Sequence, residues 1–157
     1  MKRYEIIGTT ADAGVIAYGK TLEALFANAA SGMFALIFGA EPRSLLQEKT
    51  EAFTLSAIDP ESLLVAFLSE LLWYFDTHLI VPTAFKLSIN RSTAVNGPKR
   101  GASDQRPDQM TLEAKIGFAA LSETGLSPTT DVKAVTMHDL AIKRGKGTLS
   151  AKVIFDI

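Results

Sequence analysis

The segment TTADAGVIAYGKTLEALFANAASGMFALI, Thr9–Ile37, changes its apolar rhythm once, and that change decides the architecture. As far as Gly19 the run AGVIAYG of small and apolar residues suits an extended strand. From Leu22 onward, Leu22, Leu25, Phe26, Ala29, Ala30, Met33, Phe34 and Ile37 recur at steps of three and four, which places them on one stripe of a helix. Thr21 stands where an N-cap is needed and Gly39 where the helix must stop. The same period returns after Asp59-Pro60, a cap followed by a pre-bent first residue, in Leu64, Phe67, Leu68, Leu71, Leu72 and Phe75. Burying one large apolar side chain contributes about 1.5 to 3 kcal/mol, so both stripes demand a partner surface.

Strands supply that surface. Phe53, Leu55 and Ala57 alternate with Thr54 and Ser56, and Phe85, Leu87 and Ile89 with Lys86, Ser88 and Asn90. Met110, Leu112, Ala114, Ile116 and Phe118 follow the same rule, as do Leu149, Ala151, Val153 and Phe155 after the glycine-bounded turn KRGKGT. With RYEII, AGVIAYG and DVKAVTMHDLAI added, strands outnumber helices and often follow one another directly. The pattern predicts an α+β fold, a largely antiparallel sheet packed with two amphipathic helices in a single domain over residues 1–157.

Composition bounds the function. A chain of 157 residues can bury a core without disulfides or metals as staples, and 47% hydrophobic with 21% charged residues fits a globular protein. Sixteen basic against 17 acidic side chains leave a net charge of -1, so no global positive field draws the chain to nucleic acid or an anionic membrane. The absence of cysteine excludes thiolate metal sites and cysteine nucleophiles and suits a reducing compartment. Lys2 and Arg3 lead into Tyr4 and Glu5 rather than an apolar signal segment, and NAASGMFALIFGA is too short to cross a bilayer of about 30 Å. Cytoplasmic residence is the expectation. The stretch from Arg91 to Asp108 carries Arg91, Lys99, Arg100 and Arg106 against Asp104 and Asp108, and reads as a solvated loop or a contact loop.

Several chemistries drop out. GKGT lacks the upstream glycine and the order of a phosphate-binding loop, and no G-x-G-x-x-G or G-x-S-x-G is present. His78 and His138 lie far apart without metalloprotease spacing, and His138 falls in an alternating strand, where a hydrogen-bonded structural role is the simpler alternative to a functional one. The acids remain. Asp12 stands alone among small residues and threonines, while Asp156 and Ile157 put a side-chain carboxylate beside an α-carboxylate. If the last strand lies beside Asp12, three carboxylate groups converge into an all-oxygen site for a divalent metal ion (Ca, Mg or Mn). The alternative is that Asp12 caps a turn and the far acids are solvated. Two other functions stay open: a small metal-dependent phosphoesterase using the same acids with His138 as proton carrier, and RNA binding through the 91–106 segment and Lys143, Arg144 and Lys146.

Taken in order, these pieces resemble the archease family. TTADAGVIAYGKTLEALFANAASGMFALI is similar to the family's Thr-Ala-Asp, strand, Gly-Lys-Thr-Leu-Glu and alanine-rich helix; PESLLVAFLSELLWYFDT to its second helix; DVKAVTMHDLAI to its Val-Lys-Ala-Val-Thr-Tyr-His strand; and VIFDI to its Asp-Ile ending. The resemblance implies an accessory protein, not itself an enzyme, that activates the RNA ligase joining tRNA halves through a 3′-phosphate, promoting guanylylation and multiple turnover. It implies a divalent metal ion held by Asp12, Asp156 and Ile157, with Lys133 and His138 as points of contact with the ligase or its nucleotide. RNA is then reached only through the ligase. Where the family carries Asp-His or Glu-His before Thr-Ala-Asp this chain has Gly8-Thr9, and the family's Gly-Glu and His positions align with Phe118-Ala119 and Leu126.

Overall fold

The computed structural model describes residues 2–8, 12–43, 49–92 and 109–157, so Thr9 and nearly all of the 91–108 segment, with its basic excess, lie outside the described residues. The element order is β1 (Tyr4–Gly8), β2 (Ala13–Gly19), α1 (Leu22–Phe38), β3 (Lys49–Ala57), α2 (Pro60–His78), β4 (Ile80–Ser92), β5 (Gln109–Ala120), the single-turn α3 (Leu121–Thr124), β6 (Ala134–Val135), β7 (Ile142–Arg144) and β8 (Leu149–Asp156). This is an α+β domain with two main helices, and every registered strand pair is antiparallel. The strands divide into two sheets: a five-stranded one in the order β1-β2-β8-β6, with β7 also on β8, and a three-stranded one in the order β3-β5-β4.

Both helices begin where local chemistry dictates. The Thr21 hydroxyl accepts the Ala24 N–H at 3.1 Å, and the Asp59 carboxylate accepts the Ser62 N–H at 2.7 Å, which holds the Asp59 carboxyl below its ordinary range. Pro60 opens α2, where its missing N–H costs nothing. Gly39 ends α1 in the left-handed conformation at φ 74°. At the end of α2 the same conformation falls on Leu79, φ 53°, whose N–H returns to the Phe75 carbonyl.

The core lies between the helices and the inner faces of the sheets. α1 is enclosed along Leu25, Phe26, Ala29, Ala30, Met33, Phe34 and Ile37, all essentially inaccessible, and packs against β1, β2 and β8. Gly32 lets β2 come close, since a Cβ there would meet Val15 Cγ1 at 2.6 Å. α2 buries Leu63, Leu64, Phe67, Leu68, Leu71 and Leu72 against β3, β4 and β5, where Phe67 meets Phe26, Phe53 and Phe85. Outside the core, Arg3 clips β1 to the segment after α1: its guanidinium donates to both Glu41 oxygens, at 2.9 and 3.0 Å, and to the Ser31 hydroxyl. Among the described residues no helix is long and apolar enough to cross a membrane.

One expected strand is corrected. Of DVKAVTMHDLAI only Ala134–Val135, as β6, and Ile142, which opens β7, are in strands, because the chain turns at Met137–Leu140, with Asp139 at φ 54° and the Thr136 hydroxyl accepting the His138 N–H. His138 therefore sits in an exposed turn and not in an alternating strand. Where the family resemblance expects Gly-Glu, this chain has Phe118 and Ala119, both fully buried on β5.

Candidate functional site

The pairing of β2 with β8 brings the early acid to the late one. Ala13 registers with Phe155 as the last pair of the two antiparallel strands, so Asp12 and Asp156 are the next residues beyond that pair. Ala13 and Phe155 both point into the core, and the pleat alternates, so Asp12 and Asp156 project from the opposite, solvent face; both are exposed. On the other side of β8, Ala134 registers with Asp156, and the Lys133 N–H donates to the Asp156 carbonyl at 2.7 Å. This bridge is anchored by Val132, buried beneath it, and by Thr136, whose N–H and hydroxyl both donate to the Ile154 carbonyl at 3.0 and 2.9 Å. Asp12, Lys133, Asp156 and Ile157 thus share one end of the five-stranded sheet.

Beside that end lies a cavity of about 230 Å³, whose lining includes Gly8, Asp12, His138, Asp139 and Lys152. His138 Nε2 stands 3.3 Å from Asp139 Oδ2, and both side chains are largely open to solvent. Of the residues singled out from sequence, Asp12 and His138 meet in this cavity; Asp156, Ile157 and Lys133 are not among its lining residues. Asp139 and Lys152 belong to the same surface and were not singled out. The signal for Lys152 was present: it stands in phase with Asp156, out of phase with Leu149, Ala151, Val153 and Phe155. The signal for Asp139 was hidden, because the segment reads as a strand and the turn that aims it does not.

Among the described residues no three His, Asp or Glu side chains are grouped to hold a metal ion. Asp12 and Asp156 set two carboxylates at adjoining strand ends, and a cation taken up between them would have to draw its remaining oxygens from the main chain or solvent. Oxygen donors of this kind suit a hard divalent cation and not a soft one.

The chain matches the Archease protein family over residues 4–157. It is 33% identical to Protein archease of Methanothermobacter thermautotrophicus, with 100% of each chain covered, and 30% identical to that of Sulfolobus acidocaldarius, again over 100% of both. The solution structure of a Methanobacterium thermoautotrophicum protein superposes with a TM-score of 0.72 at 30% identity, covering 100% of both chains. The crystal structure of a Thermotoga maritima protein, described as an archease and possible chaperone, shares the fold at a TM-score of 0.54 and 18% identity, over 96% of this chain and 94% of that one. A family match over nearly the whole chain, together with full-length relatives at this identity, shows that the chain belongs to the archease family.

Proposed function

We propose that this protein activates an RNA ligase of the 3′-phosphate type in the cytoplasm, raising guanylylation and turnover of the ligase in tRNA splicing or RNA repair without itself making the bond. The observation that carries the reading is the antiparallel register of Ala13 with Phe155, which sets the Asp12 and Asp156 carboxylates on one face of adjoining strands. Asp12, Asp156 and a main-chain oxygen at Ile157 would hold a divalent metal ion (Ca, Mg or Mn), and a cation there supplies positive charge opposite phosphate. Lys133, fixed through its N–H to Asp156, presents an exposed ammonium group at the same sheet end and would meet the ligase or its nucleotide. His138, exposed in its turn, provides a second contact at the adjoining cavity.

The test is a multiple-turnover ligation assay with the ligase from the same organism, GTP and Mn²⁺, adding this protein below stoichiometry. Wild type should restore repeated turnover, and Asp12→Asn or Asp156→Asn should lose the activation while keeping the melting temperature. Calorimetric titration with Ca²⁺, Mg²⁺ and Mn²⁺ should show the same two variants binding at least about tenfold more weakly, each having lost one charged ligand. No acceleration by the wild type overturns the activator role. Phosphate release from simple phosphoesters, abolished by Asp12→Asn, would favour the phosphoesterase instead.

A further inference from the structure

The three-stranded sheet turns its inner face to α2 and leaves the other face to solvent. Alternation sends Phe53, Leu87 and Ala114 inward and Ala52, Thr54, Lys86, Ser88, Glu113 and Lys115 outward, all six exposed. Lys115 registers with Ala52 on one side and Lys86 on the other, so two ammonium side chains stand directly opposite across β4 and β5. The next outward row is Thr54, Glu113 and Ser88, in register across the same three strands. Between the rows runs a trough of about 470 Å³, within the roughly 300–1,000 Å³ of small-molecule sites.

Like charges placed directly opposite in a sheet destabilise it, because their Cβ atoms are only about 4.5–5.5 Å apart. Among the described residues neither the Lys86 nor the Lys115 ammonium makes an ion pair or hydrogen bond, Glu113 of the next row included. The arrangement has a chemical polarity. One wall offers six N–H donors on two cations, and the other an acceptor-only carboxylate flanked by two hydroxyls. A phosphate satisfies the first wall and a sugar hydroxyl the second.

We propose that this trough binds the ribose phosphate of a nucleotide, either free or as part of an RNA strand, with the phosphate between Lys86 and Lys115 and a ribose hydroxyl donating to Glu113. The site is separate from the Asp12 and Asp156 end and does not depend on the activator role.

The probes are inorganic phosphate, ribose 5-phosphate, GMP, guanosine and a short single-stranded RNA, titrated at low salt while amide shifts of β3, β4 and β5 are followed by NMR. Ribose 5-phosphate and GMP should shift these strands, and guanosine should not. The double variant Lys86→Gln/Lys115→Gln should weaken GMP by at least about tenfold, two charge-assisted contacts being lost. Glu113→Gln should weaken ribose 5-phosphate without weakening inorganic phosphate, a split that a merely electrostatic patch would not give, since loss of a negative charge there would tighten both. Millimolar phosphate should also raise the melting temperature of wild type and leave the double variant unmoved. RNA binding at least about tenfold more tightly than GMP would identify a strand as the source of the ribose phosphate, and equal affinity a free nucleotide; either supports the site. Absence of shifts in these strands, affinity indifferent to the double variant, or shifts at the same residues on raising protein concentration alone, as for contact with a second copy, would overturn it.

Discussion

The two helices carry the same apolar period, yet they meet their sheets in different ways. α1 is buried on much more than a stripe: besides its large residues, Ala29, Ala30, Ser31, Gly32 and Ala35 are all inaccessible or nearly so. α2 buries a single stripe from Leu63 to Phe75 and leaves Trp73 half exposed. The difference lies in residue size. Small residues on α1 let β2 approach until a missing methyl group is what keeps the contact open, at Gly32 against Val15. α2 holds its sheet at the distance of aromatic rings, with Phe85, Phe67, Phe53, Tyr74 and Phe118 linked in a chain of contacts at 5.0 to 6.5 Å between centroids. Periodicity announces a buried helix face, and side-chain volume decides how near the neighbouring layer comes.

The largest expected effect is on the aromatic side. Phe67→Ala removes a fully buried ring from contact with Phe26, Phe53 and Phe85 and should cost about 3–5 kcal/mol in urea unfolding, with the m-value unchanged. A loss below about 1 kcal/mol would mean that the ring cluster does not hold the α2 layer.

Next comes the close-approach side. Gly32→Ala should cost about 1–3 kcal/mol by overpacking against Val15 and Tyr4, despite the better helix propensity of alanine. Val15→Ala added to it should recover part of the loss, so the two changes should be clearly non-additive in a double-mutant cycle. Strict additivity would show that the layers are not in contact there.

The smallest effect separates the layers by pH. On the α1 side the Arg3 guanidinium, bonded to both Glu41 oxygens, holds the Glu41 carboxyl below its ordinary value, aided by the Tyr4 hydroxyl. A lowered folded-state value stabilises the protein above the unfolded carboxylate value of about 4.3, and the gain is lost as pH falls through the folded value. Glu41→Gln should therefore cost up to about 1 kcal/mol at neutral pH, with the gap to wild type closing on acidification. A gap independent of pH would assign the cost to packing instead of charge.

The helices and most of the strands were legible because their residues answer to one local rule each. Thr21 and Asp59 cap as their chemistry requires, and alternation located β5 and β8 to within a residue or two. Division into two sheets was not legible, since alternation says which face is buried and not which strand lies alongside. The stretch after Val135 reads as a strand because Val135 and Met137 alternate with Thr136 and His138, while the turn depends on the Thr136 hydroxyl and on a left-handed Asp139, an effect of position and not of pattern. At the candidate site, the acids were visible as isolated carboxylates. Their neighbours Asp139 and Lys152 become neighbours only through the turn and the register.

β8 fills the middle of the five-stranded sheet, between β2 on one side and β6 and β7 on the other. Its seam with β2 joins Ala13 to Phe155, nearly the two extremes of the sequence, whereas β4 and β5 follow one another directly. Closing so long a loop carries a larger entropic cost than pairing successive strands, so the β2–β8 pairing is expected to lag behind that of β4 with β5 in folding. The proximity of Asp12 and Asp156 is therefore a report on whether the sheet is shut: a substitution that loosens the seam anywhere along its length disperses the two carboxylates while leaving both in place.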